Sequence, residues 1–527
     1  MTALALRCWP ELRRLWERKG VHYLGYQVEA ARRVVEDLQG RAILADEVGL
    51  GKTVEAGLVT RELMARHGVR TVLVLVPTPL VSQWAAEFRD KFDLKLAANP
   101  RGAALRQAER LVISIDLAKR DEQRRVLQAR SWDLVIVDEA HKLKNRNTQV
   151  HAFVRGLEAK YLLLLSATPL QNDLTELYSL VSLVRPDLFG SYSEFWRNFL
   201  LDKRTPKDPQ QLKQVLGQVM IRNRRAELDL PFPAREVELV GLEPFPDERE
   251  LYQAVLRAVR EEYAERRLYN GTVLPLLMLQ REVCSSSHAL RATLDRLAGS
   301  EGWQSLAWAR VRELARQVEE NHKALMLERL VEKLDEPVVV FTEFRATQDY
   351  LARRLRRAGV ETVIYHGAMG ACERDAAKAR FRKGARVLIS TECGGQGLNL
   401  QFCRNVVNYD LPWNPMRVEQ RIGRVHRLGQ EAETVRVFNL YARRTIEEYI
   451  LRLLDEKINL FRQVIGEIDL ILRSLDREKS IEARIAEITL TSRDDAEMAE
   501  RFERFGNELA AFMERVRHRT LAWMGSG

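Results

Sequence analysis

The sequence predicts an α/β protein made of two tandem doubly wound parallel sheets, with helical insertions and a C-terminal helical brace. Three observations predict it. Short, wholly apolar runs of strand length alternate with amphipathic helical stretches, as buried parallel strands and their crossover helices do. The pattern occurs twice, in halves separated by a long charged helical stretch. The chemistry-bearing clusters of the first half follow directly on its apolar runs, where ligands bind in open α/β sheets. The first half reads as strands at 42–45, 71–76, 111–114, 133–137 and 161–165, and the second as strands at 337–342, 362–365, 387–390, 406–409 and 435–440. Boundaries are expected at 1–225 for the first lobe, with a helical protrusion at about 173–220, then 226–335 for a linker and helical insertion. The second lobe is expected at 336–445 and a helical segment at 446–527.

The first strand runs into Asp46-Glu47-Val48-Gly49-Leu50-Gly51-Lys52-Thr53, and a helical pattern follows at once. Backbone N–H groups of such a turn and the helix N-terminus cradle phosphates. Lys52 would neutralise the β- and γ-phosphates, and the Thr53 hydroxyl would ligate Mg²⁺. Gly49 and Gly51 allow close backbone approach. The general pattern G-x-x-x-x-G-K-[ST] is not met, because Asp46 stands in place of the first glycine. Upstream, Gln27 offers the paired donor and acceptor that suit an adenine edge. The fourth strand ends in Asp138-Glu139-Ala140-His141. One carboxylate at such a tip can hold Mg²⁺, and its neighbour can orient and deprotonate the water that attacks the γ-phosphate. The two signals together are far more specific than either alone.

These motifs resemble the helicase-like ATPases of superfamily 2 and, within them, the SWI/SNF-type DNA translocases. The resemblance extends from Tyr23 to about Phe461. Asp46 in the phosphate loop is normal for that family, and the loop's wording is most similar to its bacterial, RapA-like branch. The resemblance implies two RecA-like lobes acting on one ATP with Mg²⁺. Ser166-Ala167-Thr168 resembles the motif that couples hydrolysis to domain movement, so Ser166, Thr168, His141 and Gln420 are expected to couple. Gln420-Arg421-Ile422-Gly423-Arg424-Val425-His426-Arg427 matches the sixth motif. Arg424 and Arg427 are carried over as arginine fingers, which on a helix would share one face and are worth ~10³–10⁵ in rate. Residues 390–400 resemble the fifth motif, where Gly397 would approach the nucleotide or a nucleic-acid phosphate. Ser114, Thr391, His366 and Trp84 are the expected nucleic-acid contacts.

Other stretches say less. Ile221-Arg222-Asn223-Arg224-Arg225 reads as a solvated charge run, with phosphate binding as the alternative. Residues 246–332 read as long charged amphipathic helices. Lysine and arginine number 84 against 74 acidic residues, a net charge of +10, which fits a polyanionic partner. The five cysteines form no C-x-x-C pair, which argues against a disulfide scaffold or a zinc site. No signal peptide or membrane span is read, and a cytoplasmic location is expected. The expected activity is ATP-driven tracking along duplex DNA by a monomeric motor, displacing or remodelling a bound protein or an RNA polymerase. Strand-separating helicase activity is the alternative enzyme, and a non-hydrolysing nucleotide-gated scaffold is the alternative of another class.

Overall fold

The computed structural model describes Trp9, Glu17 and residues 23–47, 49–166, 174–202, 206–223, 225–228, 230, 232–268, 274–299, 303–391, 400–457 and 481–524. The chain divides into two compact units, Met1–Leu230 and Pro231–Gly527. No helix among the described residues is long and apolar enough to cross a membrane.

The first unit is built on strands β1 (Arg41–Leu44), β2 (Val72–Val76), β3 (Ala97–Ala98), β4 (Arg110–Ser114), β5 (Ser131–Val137), β6 (Glu158–Leu165) and β7 (Met220–Ile221). They form a seven-stranded sheet in the order β3-β4-β2-β5-β6-β1-β7, with every pairing parallel. β2 is buried at every position, because helices cover both faces of such a sheet. One face packs Leu44, Val74, Ile136 and Leu163 against Leu58, Trp84, Phe88 and Phe92. The other packs Ile43, Leu75, Val135 and Leu164 against Phe153, Leu180, Val181 and Phe195. The stretch expected as a protrusion holds the helices Thr175–Val184, Tyr192–Phe199 and Pro209–Leu216, which contribute Leu180, Val181, Phe195 and Leu212 to the core on this face of the sheet.

The second unit holds β8 (Ala234–Leu242), β9 (Val338–Thr342), β10 (Thr362–Tyr365), β11 (Val387–Thr391), β12 (Asn405–Asn408) and β13 (Thr434–Ala442). The order is β10-β11-β9-β12-β13-β8, again parallel throughout. β8 falls inside the stretch expected as linker, yet it pairs with β13 along its whole length. The second sheet therefore begins about a hundred residues earlier than its first apolar run suggests, as the printed bounds of β8 and β9 show. The helices from Pro246 to Gln317 have an apolar core of their own, with Val255, Val259, Leu290, Trp308 and Val311.

That helical layer and the helix His322–Leu334 after it are pinned to the second sheet by buried polar bonds. Ser285 Oγ donates to Asp410 Oδ2 at 3.0 Å. Lys323, only 1% exposed, donates to the Tyr409 carbonyl and to Glu447 Oε1, each at 2.8 Å. Its Nζ also lies 3.5 Å from Asp410 Oδ1. A buried cation removed from such a site leaves its carboxylates uncompensated. Lys323→Met is expected to cost roughly 3–5 kcal/mol, read as a lowered urea midpoint, and Glu447→Leu in the same chain should restore much of the loss. An unchanged midpoint in the single variant would contradict the assignment.

Candidate active site

The carboxyl ends of β5, β6 and β1 lie side by side in the first sheet. At strand spacing, the tips of β5 and β1 are two steps, roughly 10 Å, apart. The phosphate loop leaves β1, the Asp138-Glu139 tip leaves β5, and Ser166 follows β6 between them. Ser166 is buried, and its N–H donates to the Leu44 carbonyl at 3.0 Å. Thr168 and Gly397 lie outside the described residues.

The loop is fastened on two sides. Gln27, buried, accepts from the Leu24 N–H at 3.1 Å and donates from Nε2 to the Leu50 carbonyl at 2.9 Å. Its amide therefore lies against the loop backbone in this structure. Asp46, fully buried, accepts from the Asn223 N–H at 2.8 Å and from Asn223 Nδ2 at 2.9 Å. The Glu47 N–H donates to the Asn223 carbonyl at 3.2 Å, and Glu47 Oε2 accepts from the Arg225 N–H at 3.1 Å. The basic stretch expected as a solvated charge run is thus stitched to the phosphate loop. Sequence reasoning missed Asn223, whose only signal was a place in a run of arginines.

Gly51, at φ +89°, ends the loop and starts the helix Lys52–His67. A Cβ there would stand 2.7 Å from Gln27 Nε2, so the close approach needs glycine. Lys52 donates from Nζ to the Asp46 carbonyl at 2.6 Å and to the Glu47 carbonyl at 3.3 Å. Its ammonium has three donors, and both carbonyls belong to the loop it would share with a phosphate. Thr53, second in the helix, is half-buried.

Asp138 accepts from Trp84 Nε1 at 2.9 Å and from the Glu139 N–H at 2.8 Å. Trp84 is 1% exposed. This corrects its expected role: a tryptophan buried under the acidic tip cannot reach a nucleic acid, and it positions Asp138 instead. Glu139 adopts φ +53°, a left-handed conformation rare for a side-chain-bearing residue, and its Oε2 lies 3.2 Å from His141 Nδ1. Strain of this kind gathers at working sites.

The other expected nucleic-acid residues are also largely enclosed. Ser114 is buried, and its Oγ accepts from the Leu117 N–H at 3.2 Å, capping a short helix. Thr391, the last residue of β11, is buried, and His366, just after β10, is 9% exposed. Gln420 lies on the helix Pro415–Ile422. That helix ends before Arg424 and Arg427, so the expectation that they share a helical face is wrong. Both sit in the turns that follow, where the Arg424 carbonyl accepts from Leu400 N–H at 3.1 Å and Arg427 Nε donates to the Gly423 carbonyl at 2.5 Å. The helix spends its own charges internally: Glu419 pairs with Arg235 at 2.9 Å, and Arg421 donates to the Asp410 carbonyl at 2.6 Å.

Residues 26–289 match the SNF2-related domain, and residues 322–429 match the helicase conserved C-terminal domain. The uncharacterized ATP-dependent helicase YqhH of Bacillus subtilis is 43% identical over 90% of this chain and 85% of its own length. The chain belongs to the SNF2-related helicase family. The RNA polymerase-associated protein RapA of Vibrio campbellii is 27% identical over 83% of this chain, which spans 50% of RapA's length. The fold is that of the helicase domain of Pyrococcus furiosus Hef, at a TM-score of 0.50 and 18% identity over 80% of this chain and 96% of that one. As a member of this family, the chain is an ATP hydrolase.

The electrostatics of this SNF2-related site are those of a crowded, dehydrated carboxylate cluster. Burial and then Glu139 push the Asp138 carboxyl up to about 6, against the Trp84 and backbone hydrogen bonds that favour its charge. Burial lowers the Lys52 ammonium, while Asp46, Glu55, Glu139 and Asp138 oppose that shift. Glu55, fully buried in the first turn of the phosphate-loop helix, is held well above the usual carboxylate range by burial and by Asp46 beside it. A carboxyl raised on folding contributes stability below its unfolded pKa and loses it as pH rises toward the folded value. Glutamine keeps the neutral shape at every pH. Glu55→Gln should therefore raise the melting temperature at pH 8 and leave it nearly unchanged at pH 4.5. Equal destabilisation at both pH values would contradict this reading.

Proposed function

We propose that this ATP hydrolase couples each cycle to movement along the backbone of duplex DNA, displacing or remodelling bound protein without obligatory strand separation. The observation that carries the reading is the juxtaposition of Lys52, at the head of the phosphate-loop helix, with the Asp138-Glu139 tip, each lying within the other's electrostatic reach. The names of the polymerase-associated relatives support a DNA-bound client.

The residues present fit Mg·ATP as substrate. Gly51 lets the loop turn at a left-handed φ and leaves room for the Gln27 amide that fastens it, and Lys52 stands over carbonyls of the same loop. Lys52 and the N–H groups from Gly49 to Thr53 hold the β- and γ-phosphates, and Thr53 and Asp138 hold the Mg²⁺ that arrives with them. Held there, the metal would supply charge stabilisation to the transferring phosphoryl group. Glu139 orients the attacking water and takes its proton as the bond from the γ-phosphorus to the bridging oxygen breaks. Arg424 and Arg427 supply positive charge to the same group. Gln27 holds the loop and lies beside the adenine. Ser166, Thr168, His141 and Gln420 relay occupancy of the site to the rest of the motor.

Tracking needs contacts to phosphates that carry no sequence information. Peptide N–H groups around Ser114, Thr391, His366 and Gly397, with surface arginines, supply them, and binding weakens with salt.

The test combines two variants and two substrates. Lys52→Ala and Glu139→Gln are each expected to lower DNA-stimulated phosphate release by at least about a hundredfold, the scale of a lost general base or electrostatic clamp. The unaltered protein is expected to displace a triplex-forming strand and to leave a forked duplex paired. Efficient unwinding without triplex displacement would favour the strand-separating helicase. Unchanged hydrolysis in both variants would remove the assigned site.

A further inference from the structure

A cavity lies in the first unit, away from the phosphate loop. It has a volume of about 390 Å³ and is walled by the helices Gln149–Arg155 and Thr175–Val184 over β5 and β6. Arg41, Arg146, Arg155 and His151 line it, and no carboxylate does among the described residues. Arg41 begins β1, whereas Asp46 follows its other end. Five residues at strand rise put the two roughly 16 Å apart.

Several surface arginines of this unit pair with carboxylates: Arg32 meets Glu29, Arg66 meets Glu36, Arg89 meets Asp90 and Arg185 meets Asp187. Among the described residues the three in the cavity meet no carboxylate; Arg41 and Arg146 are held by other means. Arg41 donates to the carbonyls of Val184 at 2.8 Å, Ala159 at 2.9 Å, Lys160 at 3.2 Å and Leu183 at 3.1 Å, which fixes its charge in place. The Arg146 guanidinium stands over the rings of Tyr192 and Tyr178, at 4.1 and 5.2 Å, leaving its N–H edges for a ligand. Arg155 is exposed at the end of its helix. His151, 3% exposed, has Nε2 3.4 Å from the Ser179 carbonyl. Burial, with Arg155 and Arg146 nearby, lowers its pKa, as expected where cations crowd without counter-charge. The remaining wall is mostly apolar, from Val135, Val154, Leu162 and Pro186, with Ser182 among them.

Fixed positive charge beside an aromatic and an apolar wall, in a cavity of small-molecule size, suits an anion that carries a flat organic body. We propose that this cavity binds a phosphate monoester of nucleotide size, at a site separate from that of the hydrolysed triphosphate. The helix Gln149–Arg155 follows the Glu139–His141 tip, and the helix Thr175–Val184 follows β6 and Ser166. An occupant touches both.

The test is calorimetric titration of the full chain carrying Lys52→Ala with AMP, and separately with pyrophosphate. AMP is expected to bind saturably, and the affinity should fall about tenfold or more when Arg146→Gln and Arg155→Gln are added, the scale of one lost charge-assisted hydrogen bond. Both side chains are exposed, so the fold should be kept. Arg146→Lys with Arg155→Lys should recover part of the loss. AMP binding that ignores all these changes, pyrophosphate binding where AMP does not, or full competition by duplex DNA would each overturn the proposal.

Discussion

The paired hydrogen bonds from Asn223 to Asp46 hold the phosphate loop to the strand beyond it, and the geometry of the first unit's site depends on them. Asn223 stands just after β7, the edge strand beside β1, so the clamp joins two neighbouring strand ends. Gln27 closes the other side by bonding the Leu50 carbonyl. Asp46 replaces a glycine of the general phosphate-loop pattern, and its carboxylate does what a glycine cannot: it anchors the loop's base through a side chain. The loop is thereby shaped before a substrate arrives, which reduces the ordering cost of binding.

Charge imposes the second constraint. Lys52 lies among Asp46, Glu55, Asp138 and Glu139, all of which favour its charge against the effect of burial. On the function proposed above, a triphosphate would add further negative charge to this place. The cluster tolerates it because two of the carboxyls are pushed toward their neutral forms, Asp138 by burial and Glu139, and Glu55 by burial and Asp46. The Trp84 indole offers its one N–H to Asp138 and keeps the oxygen aimed.

The strands that the sequence announced are those that are apolar along their whole length, such as β2 and β9, buried at every position. β3 and β7 were invisible because two-residue edges carry no pattern. β8 was hidden because Arg235, Glu236 and Glu238 interrupt its apolar residues, as the exposed edge of a sheet allows. The phosphate loop and the Asp138-Glu139 tip were legible because their chemistry demands fixed residue types at fixed spacing. Asn223 and Trp84 were not, since a residue that positions another is defined by contact across the fold: Trp84 reaches Asp138 over 54 positions and Asn223 reaches Asp46 over 177. The arginines after Ile422 were found by motif, but their backbone was misjudged because Gly423 opens a turn that helical spacing does not reveal.

The clamp on the phosphate loop can be tested directly by measuring the affinity of Asn223→Ala for a fluorescent ATP analogue beside its thermal melting curve. The account predicts an affinity weakened about tenfold, the usual effect of losing a partner that orients a ligand-binding group, with the melting transition still cooperative. Unchanged affinity in a folded variant would contradict it, because the loop would then hold its shape without the Asp46–Asn223 bonds.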